Sequence, residues 1–257
     1  MSQIPTASQS GDIRSSSCSA APRSVPSYVS VVEGYERWAP SYDEAPNPLL
    51  HLEESKLTAL LPDLSGKHVL DLACGTGRWL EKLLARGAGV GIGVDLSTAM
   101  LRVAGEKPAI AGRLAQADCL ALPFRPEVFG LVLCSFALGH IHDLGAMVSE
   151  LARVTRSGAE VFVSDLHPEA YARGWRTGFR DTSSAVQIEV FPRTAEELIR
   201  AFHSGGFECL TNLPLCFGES EKSIFARAGK IHLFTPACQV PAVVVCHFRR
   251  APTGTRT

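Results

Sequence analysis

Between residues 67 and 166 the chain alternates short, nearly continuous apolar runs with runs of helical spacing, and this alternation constrains the fold more than any other feature. KHVLDLA (67–73), VGIGVD (90–95), RLAQAD (113–118), VFGLVLCSF (128–136) and EVFVSDL (160–166) read as strands. Helices are predicted between them over 78–85, ended by Gly87, over 97–105, capped by Ser97, and over 144–155, stopping near Gly158. Apolar side chains at successive strand positions imply burial on both faces. Strands joined by helices imply an α/β fold, a Rossmann-like and mostly parallel sheet with helices on both sides.

The flanks differ. VVEGYERWAPSY (31–42) is aromatic and partly helical before Pro46 and Pro48, and 49–61 has apolar residues at helical spacing. Residues 194–204 read as a helix with Thr194 and Glu197 in capping-box spacing. Two later strands, 207–217 and 241–250, have no regular crossover helix between them and are expected to pair antiparallel at a sheet edge. The stretch between them, 218–230, reads as an inserted, partly helical segment.

Length and composition narrow the function classes. With 257 residues the chain suits one large α/β domain or two small ones, and a net charge of −1 (25 Lys+Arg against 26 Asp+Glu) argues against a nucleic-acid surface. Eight cysteines, at 18, 74, 119, 134, 209, 216, 238 and 246, contain no pair at the two-residue spacing of zinc or redox motifs. Several lie in apolar runs, where a free thiol acts as a small hydrophobe, so no metal is expected and a reducing, cytoplasmic setting is. The first thirty residues hold ten serines and no apolar block, and are expected to form a disordered leader. No stretch is apolar enough to span a membrane.

The candidate site starts at DLACGTG (71–77). Gly75 and Gly77 present bare backbone ahead of a helix N-terminus, where a ligand can approach closely. Asp95, at the end of the next strand and 20 residues past Gly75, is placed to accept from a ribose diol. A dinucleotide site would need a small residue at the third fingerprint position, which is Leu80 beside Arg78 and Trp79. Asp71 would repel a pyrophosphate but suits an ammonium, and Asp118 ends a third strand where it can read an adenine amino group. A ligand with an ammonium, a ribose and an adenine but no phosphate is S-adenosylmethionine. Gly89, Gly91 and Gly93 read as small residues that let a helix pack closely.

DLACGTG, GVDLS (93–97) and QADCLALPF (116–124) resemble the class I S-adenosylmethionine-dependent methyltransferases. ALGHIHDLGAMVSELARVTRSGAEVFVSD (137–165) is similar to their small-molecule branch, which includes quinone-biosynthesis methyltransferases, and YERWAPSYD (35–43) is similar to that branch's N-terminal cap. The resemblance implies a seven-stranded sheet whose last strand enters antiparallel. It implies one methyltransferase domain over 31–250, with a cap at 31–48, partly substrate-facing insertions at 167–236 and a tail at 251–257. By position, Asp71, Ala73, Gly75 and Gly77 would line the methionine moiety and Asp95 the ribose. Leu96 and Met100 would pack near the adenine, Asp118 and Cys119 would contact its edge, and Ser135 would lie at the far end of the pocket.

His140, after the 128–136 strand, and His167, in SDLHP (164–168), are candidate general bases, because imidazole titrates near neutrality. Tyr35, Trp38 and Tyr42 are candidate caps over the site, and Arg176 or Arg180 candidate partners for an acidic group on the acceptor. Trp175, Phe179, Phe191 and Phe225 in the flanking segments suit an aromatic or amphipathic small molecule. The expected reaction is in-line displacement, which needs a base only where the nucleophile carries a proton it will not lose unaided. Two other readings remain open at this point: a nicotinamide-dependent oxidoreductase on a similar sheet, and a non-enzymatic S-adenosylmethionine-binding protein. CSFA (134–137) departs from the motif of nucleic-acid adenine methylation.

Overall fold

The computed structural model describes residues 27–181 and 184–252. The expected leader lies outside the described residues as far as residue 26, and the expected tail from residue 253. The chain opens with β1 (Ser27–Val29), α1 (Val31–Trp38) and, after a 3-10 turn, α2 (Pro48–Leu60), which starts on an Asn47 cap with proline in its first turn. Then follow β2 (His68–Leu72), α3 (Arg78–Ala85), β3 (Val90–Asp95), α4 (Thr98–Gly105), β4 (Leu114–Gln116), β5 (Phe129–Ser135), α5 (Leu144–Val154) and β6 (Thr155–Leu166). The last part holds α6 (Pro168–Ala172), β7 (Gly178–Arg180), β8 (Ala185–Ile188), α7 (Ala195–Ser204), β9 (Phe207–Leu215), α8 (Glu219–Arg227), α9 (Phe234–Ala237) and β10 (Val243–Arg250). Ser97 caps α4 as expected, and Thr194 and Glu197 form the expected capping box on α7.

The main sheet has seven strands in the order β4-β3-β2-β5-β6-β10-β9. The first five are parallel, and β10 runs antiparallel to both neighbours. The strand alternation sorts the core into two layers. Leu70, Leu72, Val132, Cys134, Val161, Val163, Val244 and Phe248 pack on one side with α5 and α7. Val69, Leu131, Leu133, Phe162, Val243 and Val245 pack on the other with α2, α3 and α8. Each such side chain contributes about 1.5–3 kcal/mol when fully buried, so the register of these strands is strongly held. Chain order reverses between β2 and β5, and a crevice outside the strands' carboxyl ends at that point is the usual ligand position of such sheets.

Two local features depart from the sequence reading. The helix expected to stop near Gly158 ends at Val154, and β6 starts at once rather than at residue 160. Thr155 pairs with Phe129, its hydroxyl donates to Leu151 O at 2.6 Å, and Gly158 (φ +75°) sits beside a register shift that takes up the extra residues as a bulge. The second is a separate three-stranded sheet, β1-β8-β7, that ties the N-terminal segment to the 178–188 hairpin. Gly34, in the middle of α1, lets that helix lie against β8, because a β-carbon there would come within 2.6 Å of Ile188.

Candidate active site

Asp71, at the end of β2, is 2% exposed, and its Oδ2 accepts from the Leu80 amide at 2.8 Å. It therefore anchors the start of α3 as well as lining the cavity above the sheet. Burial, against the opposing pull of the Leu80 amide and Arg78, pushes its carboxyl up to about 7. A buried carboxyl raised this far is stabilised in its charged form by any further cation brought beside it in the cavity.

The loop after β2 runs through left-handed backbone at Ala73 (φ +54°), Gly75 (φ +55°) and Gly77 (φ +81°). Its two glycines do different work. A β-carbon on Gly75 would point into open space, and Gly75 lines the cavity. Gly77 does not line it; a β-carbon there would run into the buried Ile110 side chain. Gly91 and Gly93 show the close packing expected of them, their β-carbon positions lying 2.9–3.1 Å from Leu80 and Leu84 or from Cys74, Leu80 and Leu114. Gly89 lies instead against the backbone of Gly66.

Asp95 pins the loop from the next strand. Its Oδ2 accepts from Gly75 N at 2.7 Å and its Oδ1 from Ser97 N at 2.9 Å, and burial raises its pKa. Asp118 is exposed, and its Oδ1 accepts from Leu120 N at 2.9 Å. Ala73, Leu96, Met100, Cys119 and Ser135 line the same cavity of about 270 Å³, so of the ten residues expected at the cofactor all but Gly77 converge there.

A buried polar cluster escaped the sequence reading. Glu53 on α2 is fully buried, and its carboxylate accepts from Arg78 Nη2 (2.6 Å), Ser135 Oγ (2.6 Å), Ser164 Oγ (2.6 Å) and Trp79 Nε1 (3.2 Å). It holds Arg78 and Ser135 against the cavity wall. The adjacent acid, Glu54, is half-buried and pairs with Lys82 and Arg78, although the two acids look alike in sequence. The available signal was the spacing of Glu53, four residues from both Leu49 and Leu57 and so on the apolar stripe of the helix.

The cap lies over this cavity. Glu36 accepts from Ser97 Oγ (3.0 Å) and Ala99 N (3.2 Å) at the start of α4, and Asp43 accepts from Thr76 Oγ1 (2.7 Å) and Lys107 Nζ (2.9 Å). Tyr35 and Tyr42 line the cavity from above, and their burial raises both phenols, that of Tyr42 to about 12. The Tyr35 hydroxyl lies 3.0 Å from His140 Nε2, and His140 Nδ1 lies 2.8 Å from Glu189 O.

A larger cavity of about 770 Å³ adjoins the first, the two sharing Tyr35, Tyr42, Leu50 and Phe136. Trp38, Trp175, Phe179, Phe217 and Phe225 line it, with Arg176, Arg180 and Lys230 at its polar edge. Phe136 holds a left-handed backbone (φ +51°), rare for an aromatic residue. Arg176 also donates to Tyr171 O and Trp175 O. His167 lines neither cavity: its Nδ1 accepts from Glu169 N at 3.1 Å and caps α6. Phe191 lies outside both as well. Among the described residues, no group of three or more His, Cys, Asp or Glu is placed to hold a metal ion, and no helix is long and apolar enough to cross a membrane.

A carboxylate at or just past each of three strand ends, a glycine open to the cavity and a lid of tyrosines thus surround one cavity on a Rossmann-like sheet. Comparison with known proteins agrees. Residues 69–159 match the family model described as "Methyltransferase domain". The chain is 30% identical over 211 residues to the 2-phytyl-1,4-naphtoquinone methyltransferase of Thermosynechococcus vestitus, covering 72% of this chain and 93% of that protein. It is 41% identical over 105 residues to the demethylmenaquinone methyltransferase of Thermobifida fusca, and 32% over 142 to the ubiquinone biosynthesis O-methyltransferase of Nitrosomonas europaea. These two matches cover 39% and 52% of this chain, and the chain spans 44% and 60% of those relatives' length. In fold it is similar to an S-adenosylmethionine dependent methyltransferase from Mesorhizobium loti, with a TM-score of 0.61 at 22% identity, over 81% of this chain and 99% of that one. The chain belongs to the class I S-adenosylmethionine-dependent methyltransferases, in their quinone-methyltransferase-like branch.

Proposed function

We propose that this protein transfers a methyl group from S-adenosylmethionine to a small aromatic acceptor carrying an ionisable hydroxyl. The observation that carries the reading is the pair of adjoining cavities, one edged by carboxylates and one by aromatic rings, which meet at Tyr35, Tyr42, Leu50 and Phe136. When bound, S-adenosylmethionine supplies a methyl group already activated on a sulfonium. Asp71 and the Gly75 backbone would hold its amino acid end, Asp95 its ribose, and Asp118, Leu96 and Met100 its adenine. Arg78, fixed by Glu53, offers a cation on the same wall.

The protein's remaining work is alignment and exclusion of water. The cap closes over the first cavity, and the rings of Trp38 and Phe179, stacked with centroids 5.2 Å apart, wall the second. His140 is the base of the site. Arg176 and Arg180 would meet an acidic or carbonyl group on the acceptor. The names of the relatives make a reduced quinone the first acceptor to test.

Residues 31–250 form the catalytic unit in this reading. The thiols of Cys74, Cys134 and Cys246, buried and unpaired, support a cytoplasmic setting. The dehydrogenase alternative gains no support: Leu80, fully buried against the sheet, occupies the position a dinucleotide fingerprint keeps small. Incubation with S-adenosylmethionine labelled in its methyl group and a metabolite extract tests the proposal. Label is expected in an aromatic hydroxyl compound. Retained binding of S-adenosylhomocysteine with no label transferred would favour a non-enzymatic binding protein.

A further inference from the structure

His140 cannot reach an acceptor on its own, because both of its ring nitrogens are engaged. Nδ1 lies 2.8 Å from Glu189 O, and a carbonyl only accepts, so Nδ1 carries the ring proton. The neutral ring then offers Nε2 as an acceptor, and its partner at 3.0 Å is the Tyr35 hydroxyl, which donates. Tyr35 lines both cavities, whereas His140 lines only the smaller.

We infer that Tyr35 Oη is the group that takes the acceptor's proton, and that His140 is the base behind it, in a two-proton relay running out of the acceptor cavity. The relay rests on the methyl-transfer reading and on an acceptor whose nucleophile is made by ionising a hydroxyl. The acceptor's O–H bond breaks as a new O–H bond forms at Tyr35. Tyr35's own O–H bond breaks as an N–H bond forms at His140 Nε2. The acceptor keeps the electron pair and becomes the nucleophile, and His140 becomes an imidazolium still bonded through Nδ1 to Glu189 O.

The surroundings suit both partners. Burial lowers the pKa of His140, so the ring is a free base at neutral pH, and burial raises Tyr35, so the phenol keeps its proton until one arrives to replace it. Asp165 on β6 faces His140, and although burial raises its carboxyl, an imidazolium beside it draws it back down. Tyr42, Asp165, Asp95 and Tyr171 face Tyr35. Arg193 spends its donors on the carbonyls of Leu138, Ile141, His142 and Phe191. Tyr35 arrives on α1, so the relay is complete only with the cap in place.

The test uses the full chain with S-adenosylmethionine at saturation and 1,4-dihydroxynaphthalene, kept reduced, as acceptor. Tyr35→Phe and His140→Gln are each expected to lower kcat on the order of 10²-fold, and to remove the acid limb that protonation of His140 gives the wild-type profile. Two residues acting as one unit make the double variant no slower than either single one. Nitrogen NMR of histidine-labelled protein is expected to show His140 protonated at Nδ1, with Nε2 losing its hydrogen bond in Tyr35→Phe. Wild-type turnover with the acid limb intact in Tyr35→Phe, losses that multiply in the double variant, or a ring protonated at Nε2 would each overturn the relay. If the wild-type protein binds S-adenosylhomocysteine but leaves 1,4-dihydroxynaphthalene unmethylated, the hydroxyl-acceptor reading fails and the relay with it.

Discussion

Asp71 anchors the start of α3 and faces the cavity with one buried carboxylate, so its protonation bears on both. It titrates near 3.9 in an unfolded chain and at about 7 in the fold. Between those values the folded state holds more protons than the unfolded one, so stability is lost as pH rises from about 4 to about 7 and is level above. The span amounts to about 4 kcal/mol, and thermal melts of ligand-free protein are expected to show it, with Asp71→Asn flattening the slope. Ligand binding should run the other way. Affinity for S-adenosylhomocysteine is expected to rise as pH passes 7 and Asp71 ionises, and to fall roughly 10- to 100-fold in Asp71→Asn. The loop offers a check of a different kind. Ala73 occupies left-handed backbone, so Ala73→Gly is expected to raise stability by about 1 kcal/mol, while Gly77→Ala lowers it by more because Ile110 fills the space. At this scale the sequence was informative where chemistry leaves a local signature. A glycine loop with acids at successive strand ends marked Asp71, Gly75, Asp95 and Asp118, and the family resemblance supplied the other five cavity residues, but nothing local separated Gly77, which packs, from Gly75, which faces the cavity.

The elements that shape the site are joined by long-range polar contacts that sequence patterns do not display. Glu53 ties α2 to α3, β5 and β6 through one carboxylate. Replacing it removes the charged acceptor shared by Arg78, Trp79, Ser135 and Ser164, and leaves Arg78 only the outer ion pair with Glu54. Glu53→Gln is therefore expected to cost about 3–5 kcal/mol, a fall in Tm of roughly 6–20 °C for a chain of this size, with the cofactor cavity loosened as well. Glu36 does comparable work between α1 and α4, where the Ala99 amide holds its carboxyl below the usual range. Glu36→Ala is expected to speed dissociation of S-adenosylhomocysteine, as stopped-flow displacement can measure, while changing Tm little. The regular elements were readable because their periods, caps and breakers are local. The boundary between α5 and β6 was not, since pairing of Thr155 with Phe129 decides it.

On the scale of the whole molecule, a doubly covered sheet carries the site past the carboxyl ends of its strands, and the N-terminal segment and the 178–188 hairpin meet beside it. The small β1-β8-β7 sheet joins them, pairing Ser27 with Val186 and Val29 with Ile188. No local pattern announces strands this short whose partners lie so far away in sequence, which is why residues 27–29 read as part of a disordered leader, whereas they form β1. The central claim is that the smaller cavity binds a zwitterionic amino acid linked to a nucleoside. Calorimetric titration of the full chain with S-adenosylhomocysteine tests it most directly. Saturable one-site binding is expected, weakened at least about tenfold by Asp95→Asn. Folded protein that takes up no S-adenosylhomocysteine, or an Asp95→Asn variant that binds it as the wild type does, would contradict the claim.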